Sequence, residues 1–307
     1  MKRTNLLPEQ VFHVYQRTSD GGLLFYSHTD YLVFFTIFCF AARKKKVVIL
    51  GLCQMPDHIH AIVHVKSVEQ LSDFVGCYTR LFSLEINGPT GKTGKVFEHN
   101  FGRAGKFGPK KIRTTLAYLY NNPVERKLCS RAEEYRWNYL AYATQPHPFS
   151  GAIKLSKARK IYREALAMVT GLHNRGNYLR HATIGIIFSK LTDDEKLRLI
   201  DEIISIWSVV DYELLLSYYG TYENVITAFS SNTGSEYDIA ESFEPYSDSV
   251  YSKISSFLVR EGLVQSPRDV VSMDAERKFD IIALVQKRFM IPPRQIAKYF
   301  HVEFKTE

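Results

Sequence analysis

Apolar and polar positions alternate in short β-branched runs through the first third of the chain and recur at helical spacing through the second half. Val11 to Thr18 reads as a strand, and Ser19-Asp20-Gly21-Gly22 is turn chemistry. Asp30 can cap a helix that runs to about Arg43, with Arg43-Lys44-Lys45-Lys46 at its end, where positive charge suits the helix dipole. Val47 to Met55 reads as a buried strand, Pro56 and Asp57 break it, and His58 to Val65 is again strand-like. Ser67 can cap a helix over Val68 to Leu84. A loop follows, then a short strand over Val96 to Phe101, a basic glycine-bearing loop from Gly102 to Pro109, and a helix from Lys110 to Asn121 that Pro123 stops. The order β-α-β-β-α-β-α, with its tight β-β step, predicts an α+β unit: an antiparallel sheet with helices on one face. Residues 128–150 read as a tail anchored by Trp137, Tyr139 and Tyr142. Beyond Leu155 the pattern is helical, over 155–170, 193–206, 211–218, 222–230, 246–260, 274–289 and 293–300, with a polar loop from Ser230 to Phe243. This gives two expected domains, 1–150 and an all-α 151–307.

Charge sharpens that division. The 307 residues carry a net +8, unevenly placed. Residues 1–150 hold 20 Lys and Arg against 11 Asp and Glu, and residues 151–192 hold 8 against 1. Residues 193–248 reverse the sign with 2 against 13. A basic N-terminal unit with a basic connector suits a polyanion, most simply nucleic acid, although a solubilising surface explains charge alone equally well. The four cysteines have no CxxC spacing and read as reduced thiols of a cytoplasmic protein. Tyr31 to Ala42, the longest apolar run, is too short to span a bilayer, and no apolar stretch follows Lys2 and Arg3, so neither membrane nor signal peptide is expected.

Two stretches carry chemistry. In Met55-Pro56-Asp57-His58-Ile59-His60 the two histidines are two apart on a strand and share a face, where they can hold one divalent ion. On spacing alone they are better explained as two strand histidines without a task. His64 has the same parity but lies too far along the strand to join them. In Tyr118-Leu119-Tyr120-Asn121-Asn122-Pro123-Val124, Tyr118 and Asn122 are i and i+4 on one helix face, a phenol and an amide oxygen one turn apart. Tyr120 points elsewhere, to packing or to base stacking. With 19 tyrosines in the chain, neither position is distinctive by itself.

In combination the motifs resemble the HUH-type single-tyrosine transposases, in particular the REP-associated tyrosine transposase-like group. Met-Pro-Asp-His-Ile-His at 55–60, Tyr118 to Val124, and Tyr135-Arg136-Trp137-Asn138-Tyr139-Leu140-Ala141-Tyr142 follow the family's order and spacing over about residues 9–145. The resemblance implies a HUH/ferredoxin-like fold for this part of the chain. It implies that His58, His60 and Asn122 hold Mg²⁺ or Mn²⁺ and that Tyr118 is the nucleophile. Asp57 stands where the family often has Asn, and 128–142 departs from the family's usual Trp-Pro-x-Ser-Ser-Tyr form.

Such chemistry needs a covalent intermediate, because a tyrosyl ester conserves the energy of a cut phosphodiester until it is resealed. Its substrate would be single-stranded or hairpin DNA, with Arg103, Lys106, Lys110, Lys111 and Arg113 placed to hold backbone phosphates. Other readings stay open: a domesticated DNA-binding protein or regulator that keeps the fold without turnover, and a metal-dependent hydrolase that leaves no protein adduct. A homodimer and a monomer are equally allowed. In the C-terminal half, Arg294-Gln295-Ile296-Ala297-Lys298-Tyr299-Phe300 resembles the first helix of a helix-turn-helix, so this unit could bind duplex DNA, dock on the first unit or mediate dimers.

Overall fold

A computed structural model describes residues 10–88, 94–98, 101–230 and 247–303. Four strands, β1 (Gln10–Arg17), β2 (Val48–Gln54), β3 (His58–Val65) and β4 (Gly102–Lys106), form one antiparallel sheet in the order β2-β3-β1-β4. Helix α1 (His28–Lys45) joins β1 to β2, α2 (Val68–Asn87) lies between β3 and β4, and α3 (Gly108–Glu125) follows β4. Strand β3 starts where the break at Pro56-Asp57 predicts. Strand β4 does not: the expected strand at 96–101 is, where described, only a bridge from Phe97 to Thr18, and the real one uses the glycine-bearing segment read as a loop. Gly102 and Gly105 are accepted there because β4 is an edge strand and aromatic rings cover them, Tyr15 over Gly102 and Phe107 against Gly105. Most of the polar loop expected at 230–243 lies outside the described residues.

The helices do not share one face of the sheet, as the pattern led us to expect. Side chains of Phe12, Val14, Leu52, Ile59, Ala61 and Val63 pack against α1 and α2. Those of Val11, Cys53 and Ile62 pack on the other face against Ile112, Leu116 and Leu119 of α3. Helix α1 is apolar nearly all round and buried accordingly. Its N-cap is Ser27, not Asp30; Asp30 sits three residues on and closes a capping box back to Ser27. Helix α3 runs through Pro123, which the sequence reading took as its stop. Proline forfeits one hydrogen bond to the preceding turn, and here that loss falls two residues from the helix end. Asn122 is therefore helical.

The remaining helices are α4 (Lys160–Asn174), α5 (His181–Phe188), α6 (Asp193–Trp207), α7 (Tyr212–Ser217), α8 (Tyr222–Ser230), α9 (Val250–Arg260), α10 (Asp269–Ser272), α11 (Ala275–Arg288) and α12 (Pro293–Phe300). The core passes the boundary expected at 150 without a break. Tyr162, Val169, Ile203 and Trp207 join the cluster around α1, and Val225 and Phe229 join the cluster under α3. Val210 even bridges Ile49 of β2. Only 250–302 builds a cluster of its own, and it takes in Leu23 and Tyr26 from the N-terminal unit. Helix α12 turns its buried residues Ile296, Tyr299 and Phe300 into that cluster, so it is docked against the sheet-bearing unit. The segment 132–143 folds into short 3₁₀ turns pinned by its aromatic residues: Tyr135 Oη donates to the Gln54 carbonyl at 2.8 Å, and Trp137 stacks on Tyr31 with centroids 4.5 Å apart. Among the described residues no helix is long and apolar enough to cross a membrane.

Candidate active site

The antiparallel register places Tyr15 opposite His60, Arg17 opposite His58 and His13 opposite Ile62. By strand alternation His13, His58 and His60 share one face, the face that α3 covers. Above them α3 presents Tyr118 and, one turn on, Asn122. The four groups foreseen in the sequence thus converge. The rings of His58 and His60 lie 4.9 Å apart and nearly perpendicular, and the Tyr118 ring meets His60 edge-on at 5.4 Å. Asn122 Nδ2 donates to His60 Nε2 at 3.3 Å and reaches the Tyr118 hydroxyl at 3.5 Å. His64 stays with Val11 and Val48 at the far end of the strand, away from the pair.

Hydrogen bonding sets the form of each imidazole. Asp57 Oδ1 accepts from His58 Nδ1 at 2.6 Å, which leaves Nε2 of His58 with its lone pair. Asn122 Nδ2 is a donor only, so Nε2 of His60 is likewise the acceptor, and His60 Nδ1 donates to His13 Nε2 at 3.0 Å. Burial, reinforced by the Lys106 charge, lowers His13 to about 3, so His13 is neutral. Burial, with His58 and His13 as neighbours, holds His60 well below the usual histidine value. Burial would raise the Asp57 carboxyl, but its hydrogen-bonded partners His58 and Lys298 hold it well below the ordinary range, ionised.

These are the properties of a metal-ligand set. Among the described residues no cluster of three or more His, Cys, Asp or Glu side chains could hold a metal. The set here is instead two imidazoles and an amide. His58 Nε2 and Asn122 Oδ1 are buried without a hydrogen-bond partner among the described residues, a costly condition that a cation would relieve. Two neutral imidazole nitrogens and an amide oxygen suit Mn²⁺, and Mg²⁺ with more water in its shell.

Three expectations need correction. One of these concerns access: Tyr118 is 1% exposed, beside His13 and His60, so a DNA strand could reach its hydroxyl only after a neighbouring group moves. Lys106 is not a loop cation facing solvent; it lies at the end of β4, opposite Val11 on the histidine face, and is buried near His13. Arg103 is exposed but pairs with Val14, so its side chain belongs to the opposite face of this edge strand. Lys110, Lys111 and Arg113 are exposed on the first turns of α3, as expected. Tyr120 serves packing: its hydroxyl donates to the Leu50 carbonyl at 3.3 Å and its ring stacks on Phe229.

Three residues of the site escaped the sequence reading. His13 is 47 positions from His60, and only the β1–β3 register brings them together. Lys298 of α12 donates to Asp57 Oδ2 at 2.6 Å across 241 positions. Asp248 lies close enough to feel Asp57 and His58, and burial followed by the Asp57 charge raises its carboxyl to about 6. The one available signal was the histidine inside the predicted first strand.

Residues 21–122 match the family model described as Transposase IS200 like. This segment, a third of the chain, is similar to the IS200-like transposases. It contains β2, β3 and the helix that carries Tyr118 and Asn122. No curated protein matches the chain. A solved structure described as "Structure of the REP associates tyrosine transposase bound to a REP hairpin" is similar to part of this chain: 14% identical, covering 52% of this chain and 96% of that one, with a TM-score of 0.38.

Proposed function

We propose that the chain cuts and rejoins single-stranded, hairpin-associated DNA through a 5′-phosphotyrosine on Tyr118. The observation that carries this reading is the meeting of Tyr118 and Asn122 from α3 with His58 and His60 from β3, held by a hydrogen bond from Asn122 to His60. His58, His60 and Asn122 would hold the ion through His58 Nε2, His60 Nε2 and Asn122 Oδ1, the ion replacing the hydrogen bond from Asn122 Nδ2 at His60 Nε2. A divalent ion, Mg²⁺ or Mn²⁺, would polarise the scissile phosphate when bound.

The chain's own groups do the rest. The Tyr118 oxygen attacks phosphorus, the bond to the 3′-oxygen breaks, and the 5′-phosphate stays on the tyrosine as an ester. The freed 3′-hydroxyl can attack that ester and reseal the strand, so no nucleotide cofactor is required. Asn122, within reach of both the phenol and His60, aligns the nucleophile with the metal-facing side of the site. Lys110, Lys111 and Arg113 would hold the strand's phosphates. Cations on the first turns of a helix oppose its dipole and contribute nothing to its stability, which supports a ligand-binding task for them. Because Tyr118 is buried, DNA engagement must move part of the wall around the phenol.

That burial also favours a second reading, a DNA-binding regulator without turnover. One assay separates them. The full chain is incubated with labelled hairpin oligonucleotides and Mn²⁺ and run on a denaturing gel. A covalent adduct that Tyr118→Phe abolishes is the expected result. A shift on a parallel native gel with no cleavage on the denaturing one would establish the regulator, and cleavage without adduct a hydrolase.

A further inference from the structure

Helix α12, the last among the described residues and far outside the 21–122 segment, reaches the candidate metal site. Lys298 Nζ donates to Asp57 Oδ2 at 2.6 Å, and Asp57 Oδ1 accepts from His58 Nδ1 at 2.6 Å. Both carboxylate oxygens are thereby occupied, one by a ligand imidazole and one by an ammonium group from α12. Asp57 and His58 are buried, and only the lysine retains some exposure. Helix α12 is held at several points: the Tyr299 carbonyl accepts from Tyr26 Oη at 2.7 Å and His301 Nδ1 pairs with Asp20 Oδ2 at 2.6 Å, both partners just before α1, while the Tyr299 hydroxyl meets Ser255 Oγ of α9 at 2.9 Å. On its other side Gln295 donates to the Ser247 carbonyl at 3.1 Å, and Ser247 Oγ donates to the Lys127 carbonyl at 2.9 Å, just past the end of α3. The same helix therefore touches the approaches to both halves of the site, the β3 histidines and the Tyr118 helix.

We propose that Lys298 is a positioning residue for His58: with Asp57 it forms a relay that fixes the Nδ1–H tautomer and ring direction of His58, so that a competent site requires α12 to be seated. The inference rests on the reading of His58 as a metal ligand. The physical logic is that of an outer-shell carboxylate, which orients a ligating imidazole and raises its basicity. A carboxylate shared with an ammonium stays ionised and oriented despite burial, whereas the asparagine common in the family at position 57 would offer Lys298 no countercharge.

The test uses the full-length chain and three substitutions, Lys298→Met, Lys298→Arg and Asp57→Asn. In metal-free protein, ¹⁵N signals of the His58 ring report the tautomer. Mn²⁺ affinity is read by electron paramagnetic resonance, and folding by circular dichroism. Lys298→Met is expected to keep the fold, mix the His58 tautomers and weaken Mn²⁺ binding by about tenfold. Lys298→Arg should restore most of the affinity, and Lys298→Met should have no further effect in an Asp57→Asn background. An unchanged His58 signal with Mn²⁺ affinity within twofold of wild type overturns the proposal. So does an equal loss from Lys298→Met in the wild-type and Asp57→Asn backgrounds. If Lys298→Met fails to fold, the arginine variant and the Asp57→Asn spectra decide. A wild-type chain that binds no Mn²⁺ overturns the metal-site reading itself, and the relay is then judged by the imidazole signals alone.

Discussion

At the scale of single residues, the site depends on who donates to whom. His60 can offer Nε2 to a cation only while Nδ1 has an acceptor, and His13 Nε2 is that acceptor in a place with no solvent to substitute. His13→Phe keeps the ring volume and removes the acceptor. It should cost about 1–3 kcal/mol in urea unfolding, the price of a buried unpaired donor, and weaken Mn²⁺ binding by about 10–100-fold. His13→Gln, whose amide oxygen can accept, should recover much of both. Equal behaviour of the two variants would show that His13 is mere packing. The pair His58 and His60 could be read from a single strand because alternation is local. The roles of His13 and Lys298 could not: both depend on how distant segments are laid side by side, by strand register in one case and by docking of α12 in the other.

At the scale of elements, α3 bears the proposed nucleophile, and its seat on the sheet is tight. Gly51 of β2 faces it across a register shift at Ile49/Gly51, and a Cβ there would lie 3.2 Å from the Tyr120 hydroxyl and 3.4 Å from Leu119 Cδ2. Gly51→Val must push α3 outward and should cost about 1–3 kcal/mol as overpacking. Because Tyr118 and Asn122 ride on the same helix, adduct formation should fall at temperatures where the variant is fully folded. A variant as active as wild type under those conditions would show that α3 need not be held closely. The first turns of α3 make a separate prediction. If Lys110, Lys111 and Arg113 each neutralise one phosphate, replacing all three by alanine lowers the slope of log K against log salt for single-stranded DNA by about 2. Fluorescence anisotropy over a salt series measures it, and an unchanged slope removes these residues from the interface. Periodicity located α3 but ended it early, since a proline in a last turn has the same local signature as a proline past the end. Helix α10 went unread because a single turn leaves too few positions for a period to appear, and α5 because its segment His181–Phe188 lacks a polar face and holds Gly185 mid-helix.

At the scale of the whole molecule, one carboxylate ties three regions together. Asp30, on the first turn of α1, accepts from the Tyr26 and Ser27 amides at 2.8 and 3.1 Å, from His181 Nε2 of α5 at 2.9 Å and from Arg268 Nε, just before α10, at 3.1 Å. Burial by itself would raise the carboxyl; Arg268 and His181 outweigh it and hold it far below the ordinary value. Burial likewise would lower His181, yet its hydrogen bonds to Asp30 and Glu85 raise it. The signs follow from linkage. The depressed carboxyl stabilises the fold above the ordinary carboxylate pKa near 4, and that contribution is lost as pH falls towards its folded value. The raised imidazole stabilises below the ordinary histidine pKa near 6.5, and that contribution is lost as pH rises through its folded value. The node should therefore be strongest between about pH 4 and 6.5. Asp30→Asn leaves two partly buried cations facing an amide and should cost about 2–4 kcal/mol near pH 5.5. The difference from wild type should shrink below pH 4 and, to a smaller extent, above pH 7, where Arg268 keeps its share. Urea unfolding of both proteins from pH 3 to 8 gives the two curves. Parallel curves would mean that α1, α5 and the C-terminal helices are joined by their apolar contacts alone, and that the carboxylate is incidental to the assembly.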